Sequence, residues 1–229
     1  YKFLKELNIP ICPTTEQHRI VAKLDDIFAE IDEALRVEHT KETEIDHLNA
    51  RLLFTTLNER TVMWETVKIS DVCELVYGKS LDKKDRTNNE GIPAFGANGI
   101  KTFSKNILFD EPSIIIGRKG SVGEIHRVTV PFWALDVTYY TKINKEIINL
   151  DFLFYNLTSL NLPSMARGVK PGINRNDVYA KNILLPPLAE QQRIVAKLDS
   201  AFTEIDIARN AIKLSLIHIS DPTRRVFIS

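Results

Sequence analysis

Residues 8–34, NIPICPTTEQHRIVAKLDDIFAEIDEA, return 174 positions later as residues 182–208, NILLPPLAEQQRIVAKLDSAFTEIDIA, with 17 of 27 columns identical. Two copies are too few for a solenoid, whose shorter units need several neighbours to bury a core. A helical unit recurring at the spacing of a whole domain instead predicts approximate internal two-fold symmetry. Such a chain presents equivalent surfaces twice, to two copies of a partner or to two parts of an elongated ligand.

Each copy opens a long helix. Thr14, with Gln17 three residues on, has the capping-box pattern, and apolar residues follow at helical spacing: Ile20, Leu24, Ile27, Ile31, Ala34, Ile45, Leu48 and Leu52. Leu24, Ile31, Ile45 and Leu52 share one seven-residue register that Glu38 interrupts. Ile27, Ala34 and Leu48 share the companion register, interrupted by Lys41. That is a coiled-coil seam with a polar break. Neither Gly nor Pro occurs from Thr14 to Met63, so the helix is expected to run roughly 65 Å at 1.5 Å per residue. The second copy supplies the partner, through Glu190, Ile194, Leu198, Ala201, Phe202, Ile205, Ala208 and Ile212. After about Lys213 the period is expected to lapse into SLIHISDPTRRVFIS, which reads as a non-native tail over 214–229 that cuts the second helix short. The expected fold is therefore α+β, a globular α/β domain over 59–187 flanked by helices over 14–58 and 188–213 that pack as an antiparallel coiled coil. Residues 1–13 read as the end of a preceding domain, because Asn8 to Pro13 match Asn182 to Pro187.

Within the domain, Trp64 to Val76 reads as an amphipathic lead-in and Gly78 to Gly91 as a polar loop. Ser113 to Gly117 reads as a buried strand, Val122 to Val130 as a hairpin arm, and Phe132 to Ile143 as further strand. Leu150 to Leu160 is expected to be a helix burying Leu153, Phe154 and Leu157. Residues 163–177 form a loop, and Asn182 to Leu185 the closing strand.

Composition bounds the class. Of 229 residues, 44% are hydrophobic and 26% charged, as in ordinary folded domains, and no apolar run is long enough for a membrane span. Cys12 and Cys73 supply neither a disulfide framework nor a metal spacing and read as reduced thiols of a cytoplasmic protein. The chain opens on Tyr1, without a signal peptide, and is expected to be a fragment. The net charge of zero is unevenly spread. Residues 14–58 carry five Lys/Arg against ten Asp/Glu, whereas residues 59–187 carry 17 against 14. A basic domain on an acidic stalk fits nucleic-acid contact through the domain alone.

No catalytic constellation emerges. Tyr77-Gly78-Lys79-Ser80 resembles the end of a P-loop, but Cys73 stands where that motif needs glycine. Phe95-Gly96-Ala97-Asn98-Gly99 lacks the glycine spacing of a nucleotide loop and is expected to lack a preceding buried strand. Neither a methyltransferase Asn-Pro-Pro-aromatic motif nor a nuclease core is present, and His39 and His47 read as solvated residues of the acidic helix. Three polar segments instead suit DNA. Lys79, Ser80, Lys83, Lys84 and Arg86 lie in the first loop. Asn98 and Lys101 join Arg118 and Lys119 in the second group, and Arg167, Lys170, Asn174 and Arg175 form the third. Arg and Lys bond guanine and Asn bonds adenine in the major groove, while the remaining Lys hold phosphates.

The stretches Ile92-Pro93-Ala94-Phe95-Gly96-Ala97-Asn98-Gly99-Ile100, Gly117-Arg118-Lys119-Gly120-Ser121-Val122-Gly123 and Pro186-Pro187-Leu188-Ala189-Glu190-Gln191-Gln192-Arg193-Ile194-Val195 resemble the specificity subunit of type I restriction–modification systems. The likeness covers about residues 1–213, the central helix, second recognition domain and start of the distal helix. It implies a non-catalytic subunit without cofactor of its own. Each of two recognition domains reads half of a split double-stranded DNA target, and the helices set the spacing. It implies as partners two modification subunits, which bring S-adenosylmethionine and adenine methylation, and restriction subunits, which bring ATP-driven translocation and cleavage. Glu16, Gln17 and Arg19, and their equivalents Glu190, Gln191 and Arg193, then become candidate docking points for two identical partners. The chain lacks nearly all of a first recognition domain, so a half-subunit is expected to regain symmetry by forming a homodimer. The rival reading is a coiled-coil interaction scaffold without DNA contact.

Overall fold

The computed structural model describes residues 12–59, 64–88 and 90–220, with side chains as far as Ile212. The strand expected before Cys12 and the tail after Ser220 lie outside them. The chain divides into two compact units, Asn49–Phe202 and the described parts of Tyr1–Leu48 with Thr203–Ser229.

The larger unit is built on an antiparallel sheet in the order β2-β9-β6-β7, formed by β2 (Cys73–Tyr77), β6 (Ser113–Gly117), β7 (Ile125–Val128) and β9 (Thr138–Ile143). All five residues of β6, Ser-Ile-Ile-Ile-Gly, are buried. Side chains alternate across a strand, and both faces here are covered. Ile114 and Ile116 enter the larger core with Tyr139 of β9. Ile115 enters a second core with Tyr140, Phe95, Phe132 and Ala134. Each fully buried isoleucine stabilises the fold by about 1.5–3 kcal/mol. The second core is closed from the far side by another sheet, ordered β3-β5-β4-β8, from β3 (Arg86–Thr87), β4 (Ile92–Gly96), β5 (Gly99–Ser104) and β8 (Trp133–Ala134). β4 therefore does precede the Phe95–Gly99 turn, contrary to expectation. It folds straight back into β5 as a hairpin, where a nucleotide-binding loop would lead into a helix.

Helices cover the first core. α3 (Leu150–Ser159) is capped by Asn149, whose side chain accepts from the backbone N of Asp151 and Phe152, satisfying donors that the first turn leaves open. It buries Leu153 and Leu157 as expected, with Phe152, Tyr155 and Asn156 besides, whereas Phe154 is only half-buried. Leu53 and Leu57 of α1 (Thr14–Leu57), and Ile194 and Leu198 of α5 (Leu188–Ser220), lie in the same core. A two-stranded pairing of β1 (Glu65–Lys68) with β10 (Asn182–Leu185) closes the unit. The short helices α2 (Ile69–Val72) and α4 (Arg175–Tyr179) complete it, α4 lying at the end of a segment expected to be loop. Burial pushes the Cys73 thiol up to about 12, as desolvation of a thiolate dictates.

The other unit holds Thr14 to Leu48 of α1 and the end of α5. Arg209 donates to Asp46 at 2.7 Å, an exposed pair of small energetic weight. The seam residues Ile20, Leu24, Ile27, Ile31 and Leu48 are exposed, whereas Ile45 is half-buried. α5 runs on to Ser220, past Lys213, since nothing before Pro222 breaks a helix.

Candidate nucleic-acid interface

Three loops meet beside the β2-β9-β6 edge of the larger unit. The β6–β7 loop is pinned to the turn after β8, because the backbone N of Arg118 and of Lys119 both donate to Val137 O at 2.8 and 3.1 Å. The same turn holds the loop after β2. Gly78 N donates to Thr138 O and Lys79 N to Ala134 O, while the Trp133 indole donates to Lys79 O at 2.9 Å. Gly78 comes so close to this turn that a Cβ there would lie 2.0 Å from Leu135 O. The third loop, 166–174, is tied to the first by Ile173 N donating to Arg118 O at 3.1 Å and by a bridge between Lys119 and Gly172. The β4–β5 turn joins them from the second sheet, since a Cβ on Gly117 would meet Ala97 O at 3.0 Å.

Lys79, Ser80, Asn98, Lys101, Arg118, Lys119, Arg167, Asn174 and Arg175 are thus gathered around one set of interlocked loops. Lys170 stands on the exposed tip of the third. Lys83, Lys84 and Arg86 belong elsewhere: Arg86 pairs with Ser104, three residues along β5 from Lys101, about 10 Å at strand rise. The Arg86 guanidinium is also committed to Leu81 O, through Nε at 3.2 Å and Nη2 at 3.0 Å.

A cleft of about 450 Å³ opens among the loops, lined by Tyr77, Arg118, Tyr139, Arg167, Asn174 and Asp177 with Gly172 and Ile173. Tyr77 is its centre, and sequence reading passed over it. The guanidinium carbons of Arg118 and Arg175 stand 5.4 and 5.3 Å from the Tyr77 ring centroid, within reach of cation–π attraction. Tyr77 itself packs edge-on against Tyr139 at 4.9 Å. Burial, then the Tyr77 hydroxyl, pushes the Tyr139 phenol up to about 12, so it stays protonated and donates to Ile173 O at 3.1 Å. The three aromatic–guanidinium partners lie at positions 77, 118 and 175. Arg118 and Arg175 are candidates by composition, but no local pattern signals Tyr77, whose Tyr-Gly-Lys-Ser fails as a phosphate loop.

The repeated helix starts share one cap. In the first copy Pro13 O accepts from the backbone N of Glu16 and Gln17 at 2.9 and 3.0 Å, and in the second Pro187 O accepts from Glu190 and Gln191 at the same distances. The capping box expected of Thr14 and Gln17 does not form, because Thr14 is already helical and Pro13 holds the cap position. The Gln17 amide instead donates outward to Cys12 O at 2.7 Å, just as Gln191 donates to Pro186 O at 2.8 Å. Arg19 grips Glu16 and Arg193 grips Glu190, each by two hydrogen bonds. These bonds hold both carboxyls below their ordinary range.

The copies differ in surroundings. Gln191 is fully buried; it accepts from Asn149 N at 2.7 Å and donates to Ile147 O at 2.9 Å. It therefore fastens α5 to the cap of α3, and has no exposed face for a partner. Gln17, Glu16, Arg19, Glu190 and Arg193 keep exposed or half-exposed positions. Among the described residues no helix is long and apolar enough to cross a membrane, and no group of three His, Cys, Asp or Glu gathers as metal ligands.

A family model described as the type I restriction modification DNA specificity domain matches residues 61–216. The EcoprrI type I restriction enzyme specificity subunit of Escherichia coli is 30% identical over 109 residues, covering 47% of this chain and 27% of that protein. The putative MjaX specificity subunit of Methanocaldococcus jannaschii is 24% identical over 233 residues, covering 90% and 55%. A solved structure of a type I R-M system superposes with a TM-score of 0.75 at 21% identity, covering 92% of this chain and 57% of that one. The HsdS subunit from Thermoanaerobacter tengcongensis gives 0.57 at 22%, covering 90% and 55%. Those structures share the fold, and the chain spans about half the length of these relatives or less.

Proposed function

This chain belongs to the type I restriction–modification DNA specificity domain family, and from that premise we propose that it reads one half of a split double-stranded DNA target. The observation that carries this reading is the convergence of four loops, bearing Lys79, Asn98, Arg118, Lys119 and Arg167, with Arg175 opening α4 at the end of the last, on one side of a domain matched by that family's model. Mixed Arg, Lys and Asn on interlocked backbone supply both phosphate holding and base-edge contact. Covalent chemistry then belongs to modification and restriction subunits, two copies of the former meeting the paired helix starts at Glu16–Arg19 and Glu190–Arg193.

Two further features support the larger plan. Arg209 reaches Asp46, as an antiparallel pairing of the two long helices requires, and such a rod fixes the distance between half-sites at roughly one 34 Å turn per ten base pairs. The bare face of the first copy, Ile20, Val21, Leu24 and Phe28, corresponds residue by residue to Ile194, Val195, Leu198 and Phe202, which pack on the domain. That face is a footprint for an equivalent recognition domain, supplied in the same polypeptide or by a second half-subunit in a homodimer.

Selection of duplexes from a random library by the full chain, followed by sequencing, tests the reading. A short contiguous motif should be enriched, without its spaced second half unless two recognition domains are present. Retention of DNA without any motif would defeat it, and failure to retain DNA at low salt would favour a scaffold role.

A further inference from the structure

We propose that the cleft beside Tyr77 is a seat for a single phosphate oxyanion, held by Arg118 in its wall, with Tyr77 positioning that arginine and Arg175, which packs on the same ring outside the cleft lining, adding charge and not base contact. The inference rests on the DNA-reading function above and assigns these residues a part within it.

The state of the two guanidinium groups decides between the roles. Reading guanine takes two neighbouring N–H donors of one fork, aimed together at O6 and N7. In both arginines Nε is shielded from solvent and has no hydrogen-bond partner, so the side-on fork is closed. Arg118 also spends Nη2 on Asp136 O at 2.8 Å, and Arg175 directs Nη1 at Leu75 O, 3.3 Å away. What Arg118 still offers the cleft is its charge and its other terminal N–H groups, while Arg175, outside the lining, offers its charge. That suits an anion whose oxygens accept from several directions.

The charge arrangement agrees. Two guanidinium groups share one ring at 5.4 and 5.3 Å, and Arg167 lines the same cleft. Among the described residues Asp177 supplies the only carboxylate of the lining, 4.0 Å from Arg167 Nε. Arg118 and Arg167 thus give the lining two cations against one carboxylate, a balance that favours an anion. The cleft is also built and not loose. Tyr139 bonds Ile173 O, Ile173 bonds Arg118 O, and Arg175 rests on Tyr179 as well as Tyr77, at 5.6 Å.

The test uses the full chain and a random-sequence duplex pool, measuring affinity as a function of salt. Arg118→Gln and Arg175→Gln should each lower the slope of log K against log salt by about one unit and weaken every sequence alike. Arg118→Lys should keep the slope. Tyr77→Leu should weaken binding with the slope kept, because the charges remain but lose their plate, whereas Tyr77→Phe should bind as the parent does. Melting temperatures within a few degrees of the parent identify variants that fold. A variant whose slope is unchanged but whose selected motif loses one base position would overturn the seat and leave the DNA reading standing. A second arm titrates the chain with inorganic phosphate, followed by amide NMR. Shifts at residues 118 and 173, lost in the Gln variants, would support the seat even if the parent failed to bind DNA, in which case only the DNA reading falls. Binding of neither duplex nor phosphate would end both.

Discussion

Gln17 and Gln191 occupy the same place in two copies of one sequence, yet one is exposed with a single amide bond to Cys12 O and the other is sealed in with three partners. The helix cap itself is identical in both, down to the two bonds to a proline carbonyl and the Arg–Glu clasp one turn on. The repeat therefore encodes two separable things. One is a local helix start that forms wherever the sequence stands. The other is an adhesive face, Gln-x-x-Ile-Val-x-x-Leu, whose value depends on having a domain to lie against. The second copy lies on its domain, and the first presents the same face to solvent.

The largest contrast is expected at the leucines. Leu198 is fully buried, so Leu198→Ala should cost about 2–5 kcal/mol in urea or thermal unfolding. Leu24, at 46% exposure, should cost under about 0.5 kcal/mol as Leu24→Ala in the monomer. Repeating the melts at high protein concentration sharpens the comparison. A Leu24 effect that grows with concentration means the bare face is being covered by another copy, whereas a loss matching that of Leu198→Ala in the dilute monomer would refute its exposure.

The glutamines should differ less. Gln191→Ala strands the Asn149 N–H and two carbonyls, about 1–3 kcal/mol for the buried groups left unpaired, and should also loosen α3 through its cap. Gln17→Ala should shift the same unfolding curve by no more than a few tenths of a kcal/mol, on the order of one exposed hydrogen bond. Matching shifts in a differential scan of the two variants would show that the copies are not in different surroundings.

The same contrast explains what the sequence discloses. Periodicity and the repeat announced both long helices, and the run Ser113–Gly117 announced a buried strand, because those signals are local. The closing strand Asn182–Leu185 and the helix at Leu150 were legible for the same reason. The capping box expected at Thr14 does not form, since the helix already includes Thr14 and the backbone carbonyl of Pro13 takes the cap. The loops of the interface were legible as composition, but their grouping was not. Arg86 looked equivalent to Arg118 until its guanidinium turned out to be spent on Leu81 O. Tyr77 acquires its role only through contacts with Arg118 and Arg175, which chain folding brings together and no motif foretells. Gln191 likewise looked like surface until Ile147 and Asn149 closed over it.

Backbone amide hydrogen exchange of the full chain, with and without saturating duplex from the selected pool, tests most directly that the interlocked loops are where DNA is read. Protection should appear at 78–80, 97–101, 118–121 and 167–175, and be absent from the exposed seam at 20–35. Protection confined to the long helices, with the four loops exchanging as in the free chain, would contradict the assignment.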